Sequence, residues 1–250
     1  MVSMVLKLPT DQLKRAENLN AERQRMEAIL NQLNGVFKPW RLREKDPFLL
    51  LVGTVLSQNT NDRNSFAAFK SLTSRFTTPE QIASASLREI GKLIKIGGLY
   101  REKAKRLKEI SKLVWKKYGG NMNLILQKPA VEARRELLSL PGVGPKTADV
   151  VLAFGAGHDV FPVDTHVFRV SKRLGFAEPK DGYEEVKRKL ERVTPPGRRI
   201  EGHVLLIQLG RNYCRSRNPN HKECPINRFC PVGTRYAGPS LPLRRRAHQP

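Results

Sequence analysis

Leu140-Pro141-Gly142-Val143-Gly144-Pro145-Lys146 is the stretch on which the reading of this chain turns. Gly142 and Gly144 lack a Cβ, so the backbone can turn tightly there and present its N–H groups. Pro145 suits the first position of the helix that Thr147-Ala148-Asp149-Val150-Val151-Leu152-Ala153-Phe154 continues. A helix start of this kind is built to meet an anion. Residues 131–139 also read as helix, which makes the stretch a hairpin between two helices. Lys146 falls in the first turn, at the positive end of the helix dipole, where a cation gains nothing. Taken alone it is a solvated lysine beside a phosphate, and the hairpin supports no more than nucleic-acid binding.

Eighteen residues further on stands Asp164, in Val163-Asp164-Thr165-His166. It precedes Val167, Val170 and Leu174, which recur at helical spacing, so Asp164 reads by itself as an N-cap. An N-cap does not call for a lysine in a glycine hairpin before it and a cysteine cluster after it. The joint pattern is more specific than its parts.

Composition points to the same kind of partner. The 250 residues carry 46 Lys and Arg against 23 Asp and Glu, a formal charge of +23, which suits a polyanion and predicts salt-sensitive binding. The charge does not choose between DNA and RNA. The longest apolar stretch, residues 48–56, is too short to cross a bilayer, and the first seven residues lack a signal-peptide core, so a soluble intracellular protein without membrane partners is expected. Nothing suggests more than a monomer.

Helical spacing runs through the chain over 11–33, Pro47–Ser57, 61–76, 86–96, 101–118, 131–139, the helix after the hairpin, 165–174, 182–193 and 201–213. Strand alternation is nearly absent, so the fold class is all-α. Cys214, Cys224 and Cys230 lie within 17 residues and have no partners elsewhere. Such clustering argues against a disulfide framework and for a metal or cluster site in a reducing compartment.

With the hairpin, Val-Asp-Thr-His, Leu56-Ser57 through Asp62, Ile96-Gly97-Gly98-Leu99-Tyr100, Leu209-Gly210-Arg211 and the cysteine region in view, the chain resembles the endonuclease III family of helix-hairpin-helix DNA glycosylases. The resemblance covers nearly all of residues 25–230. It implies a two-lobed helix-hairpin-helix glycosylase fold with a C-terminal metal-cluster loop. A helical barrel would span 45–159, with the hairpin motif at about 133–156, and a second lobe would combine 1–44 with 160–230. Residues 231–250, with Arg244-Arg245-Arg246, are expected to be a disordered basic tail.

The resemblance further implies a bifunctional base excision enzyme acting on double-stranded DNA with damaged bases or abasic sites. The target nucleotide must leave the stack and the hole must be refilled. Lys146 would attack the sugar C1′ and form a Schiff base that permits β-elimination. Asp164 would keep the amine reactive and stabilise charge on the sugar, and the two side chains would have to converge on one pocket. A gap-free match puts Asn59 where the family's glutamine enters the vacated space, with Gln58 one place earlier. Leu99 matches an apolar wedge between bases on the opposite strand. Read only as protein, Asn59 is a turn residue and Leu99 a core residue.

The family places four cysteines with six, two and five residues between them. Here the same spacing runs Cys214, His221, Cys224 and Cys230, so histidine stands second. The resemblance favours a [4Fe–4S] cluster, while a Cys3His set is also a structural zinc set. Arg215 and Arg217 in the intervening loop are expected to reach phosphates. His166 and Arg169 could contact the flipped nucleotide or its phosphates; read only as protein, His166 is a first-turn polar residue and Arg169 a surface charge, the reading preferred for Arg169, and His203 receives no role. Two other functions stay open: a uracil or mismatched-thymine glycosylase on the same scaffold, and a non-catalytic hairpin DNA-binding protein.

Overall fold

A computed structural model of the chain describes residues 10–38 and 46–236. The basic tail expected at 231–250 therefore lies outside the described residues from 237 onward. The described residues form an all-α fold with no strand among them. None of their helices is long and apolar enough to cross a membrane. They divide into two compact units, one within 41–162 and one made of the N-terminal helix together with residues from Val163 onward.

The first of these units is built around α2 (Pro47–Ser57), whose Phe48, Leu50, Leu51, Val52, Val55 and Leu56 are buried. Asp46 caps it by accepting from the Phe48 and Leu49 amides, and Pro47 takes the first helical turn, where a missing N–H costs nothing. Then come α3 (Asp62–Thr73), α4 (Pro79–Ser84), α5 (Leu87–Ile94), α6 (Tyr100–Tyr118), α7 (Asn123–Leu126), α8 (Ala130–Leu138) and α9 (Pro145–Ala156). α2 packs on α3 and α9, α6 on α4 and α5, and α8 on α9. The hairpin therefore stands on the helix richest in apolar residues.

Helical spacing alone does not reveal α4 and α7. Thr77-Thr78-Pro79 has the look of a stop, yet Thr78 and Gln81 form a capping box and Pro79 opens a new helix. Other ends shift by a few residues: Asn61 and Ser86 are caps rather than helix, and 95–97 is a 3₁₀ turn.

The second unit holds α1 (Thr10–Val36), α10 (Thr165–Arg173), α11 (Tyr183–Val193) and α12 (Arg199–Asn212). α1 buries Met26, Ile29, Leu30 and Leu33, one stripe at helical spacing. It packs on α11 and α12, and α10 packs on α12. Asn34-Gly35 does not end α1: the helix continues to Val36, and its hydrogen bonding carries the buried Phe37, whose amide donates to the Leu33 carbonyl at 2.7 Å.

Candidate active site and metal loop

In the first unit, Gly142 and Gly144 play different parts. Gly142 has φ +70, which favours glycine, and a Cβ there would come 2.7 Å from Arg106 Cδ and displace that side chain. Gly144 is extended (φ −92), a conformation open to any residue, and a Cβ on it would meet nothing within 4 Å. A side chain at Gly144 would therefore point into open space. Gly144 caps α9 without a side-chain hydrogen bond, so no side chain of the cap occupies the first amides. Lys146 is the second residue of α9 and is half-buried.

The two hairpin helices are tied by an ion pair that spacing and motifs do not reveal. Asp149 is wholly buried and accepts from Arg134 twice, Nε to Oδ1 at 2.8 Å and Nη2 to Oδ2 at 3.3 Å. A bidentate pair fixes both distance and rotation between α8 and α9. An acidic residue on an apolar helix was the available signal, and its basic partner 15 positions earlier could not be picked from several.

Gln58 is engaged with the hairpin. Its Nε2 donates to the Gly142 carbonyl and the Thr147 hydroxyl, each at 3.2 Å, while its Oε1 accepts from Arg106 at 3.2 Å. Asn59, next along, is exposed and has φ 51; Leu99 is 60% exposed and has φ 47. Positive φ is uncommon for side chains of these kinds, and for leucine more so than for asparagine. Leu99 is thus not a core residue.

In the second unit Asp164 caps α10. Its Oδ1 accepts from the amides of His166 (2.9 Å) and Val167 (2.8 Å). Among the described residues Oδ2 has no hydrogen-bond donor. Asp164 also lines an open hollow of about 270 Å³ with Val163, Thr165, Phe168 and Arg169. The cap accounts for one oxygen and leaves the other available for chemistry.

Arg169 is a brace within this unit. Its guanidinium donates to the carbonyls of Cys214 (2.9 Å) and Gly210 (3.0 Å) and lies 3.2 Å from His166 Nδ1. Burial, with Arg169 and Arg211 nearby, pulls the His166 imidazole below its usual range against the pull of Asp164. A neutral His166 accepts from Arg169 through Nδ1. Close packing of α10 on α12 needs Gly210, where a Cβ would come 2.9 Å from His166 Cβ. His203 is buried in α12.

Past α12, Cys214, His221, Cys224 and Cys230 line one small, partly open space of about 20 Å³ with Val170, Leu174 and Tyr213. Burial pushes the Cys224 thiol up to about 12, and Cys214 and Cys230 are close enough to add to that rise. Among the described residues no three His, Cys, Asp or Glu side chains are grouped so as to hold a metal ion. Arg173 frames the space: Nη1 donates to Cys214 Sγ at 3.4 Å and to the Arg215 carbonyl at 2.7 Å, and its own carbonyl accepts from Cys230 Sγ at 3.4 Å. Arg215 and Arg217 are exposed on the connecting loop.

The model of the HhH-GPD superfamily base excision DNA repair proteins matches residues 52–196. An endonuclease III from Thermotoga maritima is 38% identical over 192 residues, covering 77% of this chain and 86% of that protein. One from Bacillus subtilis is also 38% identical, covering 77% and 84%. Among solved structures, a trapped endonuclease III–DNA covalent intermediate is similar with a TM-score of 0.75 and 32% identity, covering 87% of this chain and 97% of that one. A thermostable thymine-DNA glycosylase is similar with a TM-score of 0.73 and 25% identity, covering 86% and 98%.

Proposed function

The chain belongs to the HhH-GPD superfamily of base excision DNA repair proteins and is a DNA glycosylase and abasic-site lyase of the endonuclease III type; we propose that Lys146 is its nucleophile and Asp164 the carboxylate that serves it. The substrate is double-stranded DNA carrying a damaged pyrimidine or an abasic site. The observation that carries the assignment of Lys146 is its place at the head of α9, two residues past a glycine cap that puts no side chain on the helix start. Amides at a helix start hold a phosphate, and a lysine beside them is delivered to the sugar of the nucleotide so held.

The Lys146 amine attacks C1′ and the C1′–N bond breaks, the base leaving with the bonding pair and taking up a proton. Ring opening and loss of the amine proton give an imine; abstraction of a C2′ proton then expels the 3′ phosphate. Asp164 Oδ2 is the oxygen left for stabilising the positive charge on the sugar, while Oδ1 keeps the cap. Asn59 and Leu99 enter the opened duplex, and the hairpin with Arg215 and Arg217 holds the backbone. Gln58, held against the hairpin by three hydrogen bonds, connects the two rather than filling the hole.

Cys214, His221, Cys224 and Cys230 would hold a [4Fe–4S] cluster, which would tie down a loop too short for a core of its own. Three thiolates and an imidazole that line one space, at the spacing of the family's four cysteines, form a donor set that suits such a cluster.

Borohydride added during incubation with abasic-site DNA tests the assignment. The wild-type chain is expected to become covalently joined to the DNA, and Lys146→Ala to bind DNA without joining. A water-activating thymine or uracil glycosylase on this scaffold gives base release with no covalent product, which would refute the lysine mechanism.

A further inference from the structure

Lys103, in the first turn of α6, is only 2% exposed. A buried ammonium is costly unless its hydrogen bonds are satisfied, and here all three donors find oxygen. Nζ donates to the Leu56 carbonyl (2.7 Å), the Thr60 hydroxyl (2.5 Å) and the Gly97 carbonyl (3.0 Å). The Thr60 hydroxyl donates onward to the same Gly97 carbonyl at 2.6 Å. One ammonium therefore joins the end of α2, the loop that follows it and the turn that leads into α6.

Each of the two segments it joins carries a non-glycine residue in the left-handed region, Asn59 in one and Leu99 in the other. Backbone held in that region persists only where the surroundings over-determine it. Neither residue has side-chain packing to do this, since both are exposed. The fixed points lie behind them, at Thr60 and Gly97, and both points are held by Lys103. Gln58 carries the connection on to the Gly142 carbonyl of the hairpin.

We propose that Lys103 is a positioning residue for duplex opening: it locks the 57–61 loop and the 97–99 turn into one tool, so that Asn59 and Leu99 enter the two sides of the opened step in fixed register. The proposal rests on the reading of Asn59 and Leu99 as the residues that enter the duplex. Lys103 touches no reacting atom, and its effect is confined to substrates that have a stack to open.

The test compares two substrates with the full-length chain. One is single-turnover base release from a duplex containing an oxidised pyrimidine, and the other is borohydride trapping on a single-stranded oligonucleotide with an abasic site, where no hole needs filling. Lys103→Met is expected to slow duplex release by about 100-fold, the scale of a 1 Å misplacement, and to leave single-strand trapping unchanged. Lys103→Met combined with Leu99→Ala should be no slower on duplex than the slower single variant, because both act through one device.

Unchanged duplex release in Lys103→Met, or an equal loss on both substrates, overturns the proposal, the second pointing to a purely structural lysine. Should Lys103→Met not fold, Thr60→Ala removes the hydroxyl bridge and leaves the ammonium two carbonyls; it must then show the same split, or the proposal fails. If Asn59→Ala and Leu99→Ala themselves leave duplex release unchanged, the wedge reading has failed in variants that keep Lys103 intact, and the proposal falls with it.

Discussion

Asp164 has two oxygens, one in a cap and one in the proposed chemistry. Oδ1 holds the first amides of α10, and Oδ2 is the one assigned to catalysis. An asparagine in its place would keep a cap oxygen, because asparagine is as good an N-cap as aspartate, while losing the negative charge. Asp164→Asn is therefore expected to melt at the wild-type temperature and to slow base release by about 100-fold or more. Equal turnover in a well-folded variant would remove Asp164 from the chemistry. The cap was legible in the sequence because capping is local: the residue and its amides are three positions apart. Arg169 was not legible as a brace and Lys103 not as a buried hub. In one dimension a lysine or arginine in a basic chain reads as a solvated charge, and only the fold brings the carbonyls of residues 210 and 214, or of 56 and 97, to meet it.

At the level of elements, the hairpin is fixed by contacts behind it as much as by its glycines. Arg134→Ala takes the bidentate partner from a wholly buried Asp149 and should lower unfolding free energy by about 3 kcal/mol in urea titration, the low end for a broken buried pair because Arg134 keeps some contact with water. A loss near zero would mean that α8 and α9 are held by apolar packing alone. A second tie joins the end of α6 to α8, where Glu136 accepts from Lys128 and from Tyr118 Oη at 2.8 Å. The Lys128 hydrogen bond, assisted by Tyr118, holds the Glu136 carboxyl below its usual range. A depressed carboxyl contributes stability above its ordinary value of about 4.5 that disappears as pH falls through the folded value. Glu136→Gln should accordingly flatten the acid limb of a urea-midpoint against pH profile and leave the slope above pH 7 alone. The longer helices were legible from spacing and caps; α4 and α7 were not, since six and four residues hold too little period to register.

For the molecule as a whole, the formal charge of +23 makes DNA binding steeply dependent on salt. If the hairpin, the loop arginines and their neighbours meet six or more phosphates, the affinity for duplex DNA should fall by about 1,000-fold or more between roughly 50 and 200 mM salt. A shallow dependence would mean that the charge lies away from the DNA. Protein purified without oxygen should contain about four irons and no zinc, and His221→Cys should keep the iron. One zinc per chain would replace the cluster by a single-ion site. The family was legible because its most specific elements, the hairpin and Val163-Asp164-Thr165-His166, are short and contiguous. The lesion was not, because pocket shape is assembled from distant segments.

One amine of this lysine-rich chain becomes bonded to the sugar, and digestion of the borohydride-reduced protein–DNA adduct followed by mass spectrometry locates it by the sugar remnant. With Lys146 as the nucleophile, a single modified peptide carries the remnant, on Lys146. A remnant on another lysine or on the N-terminal amine, or base release with no adduct at all, would contradict it.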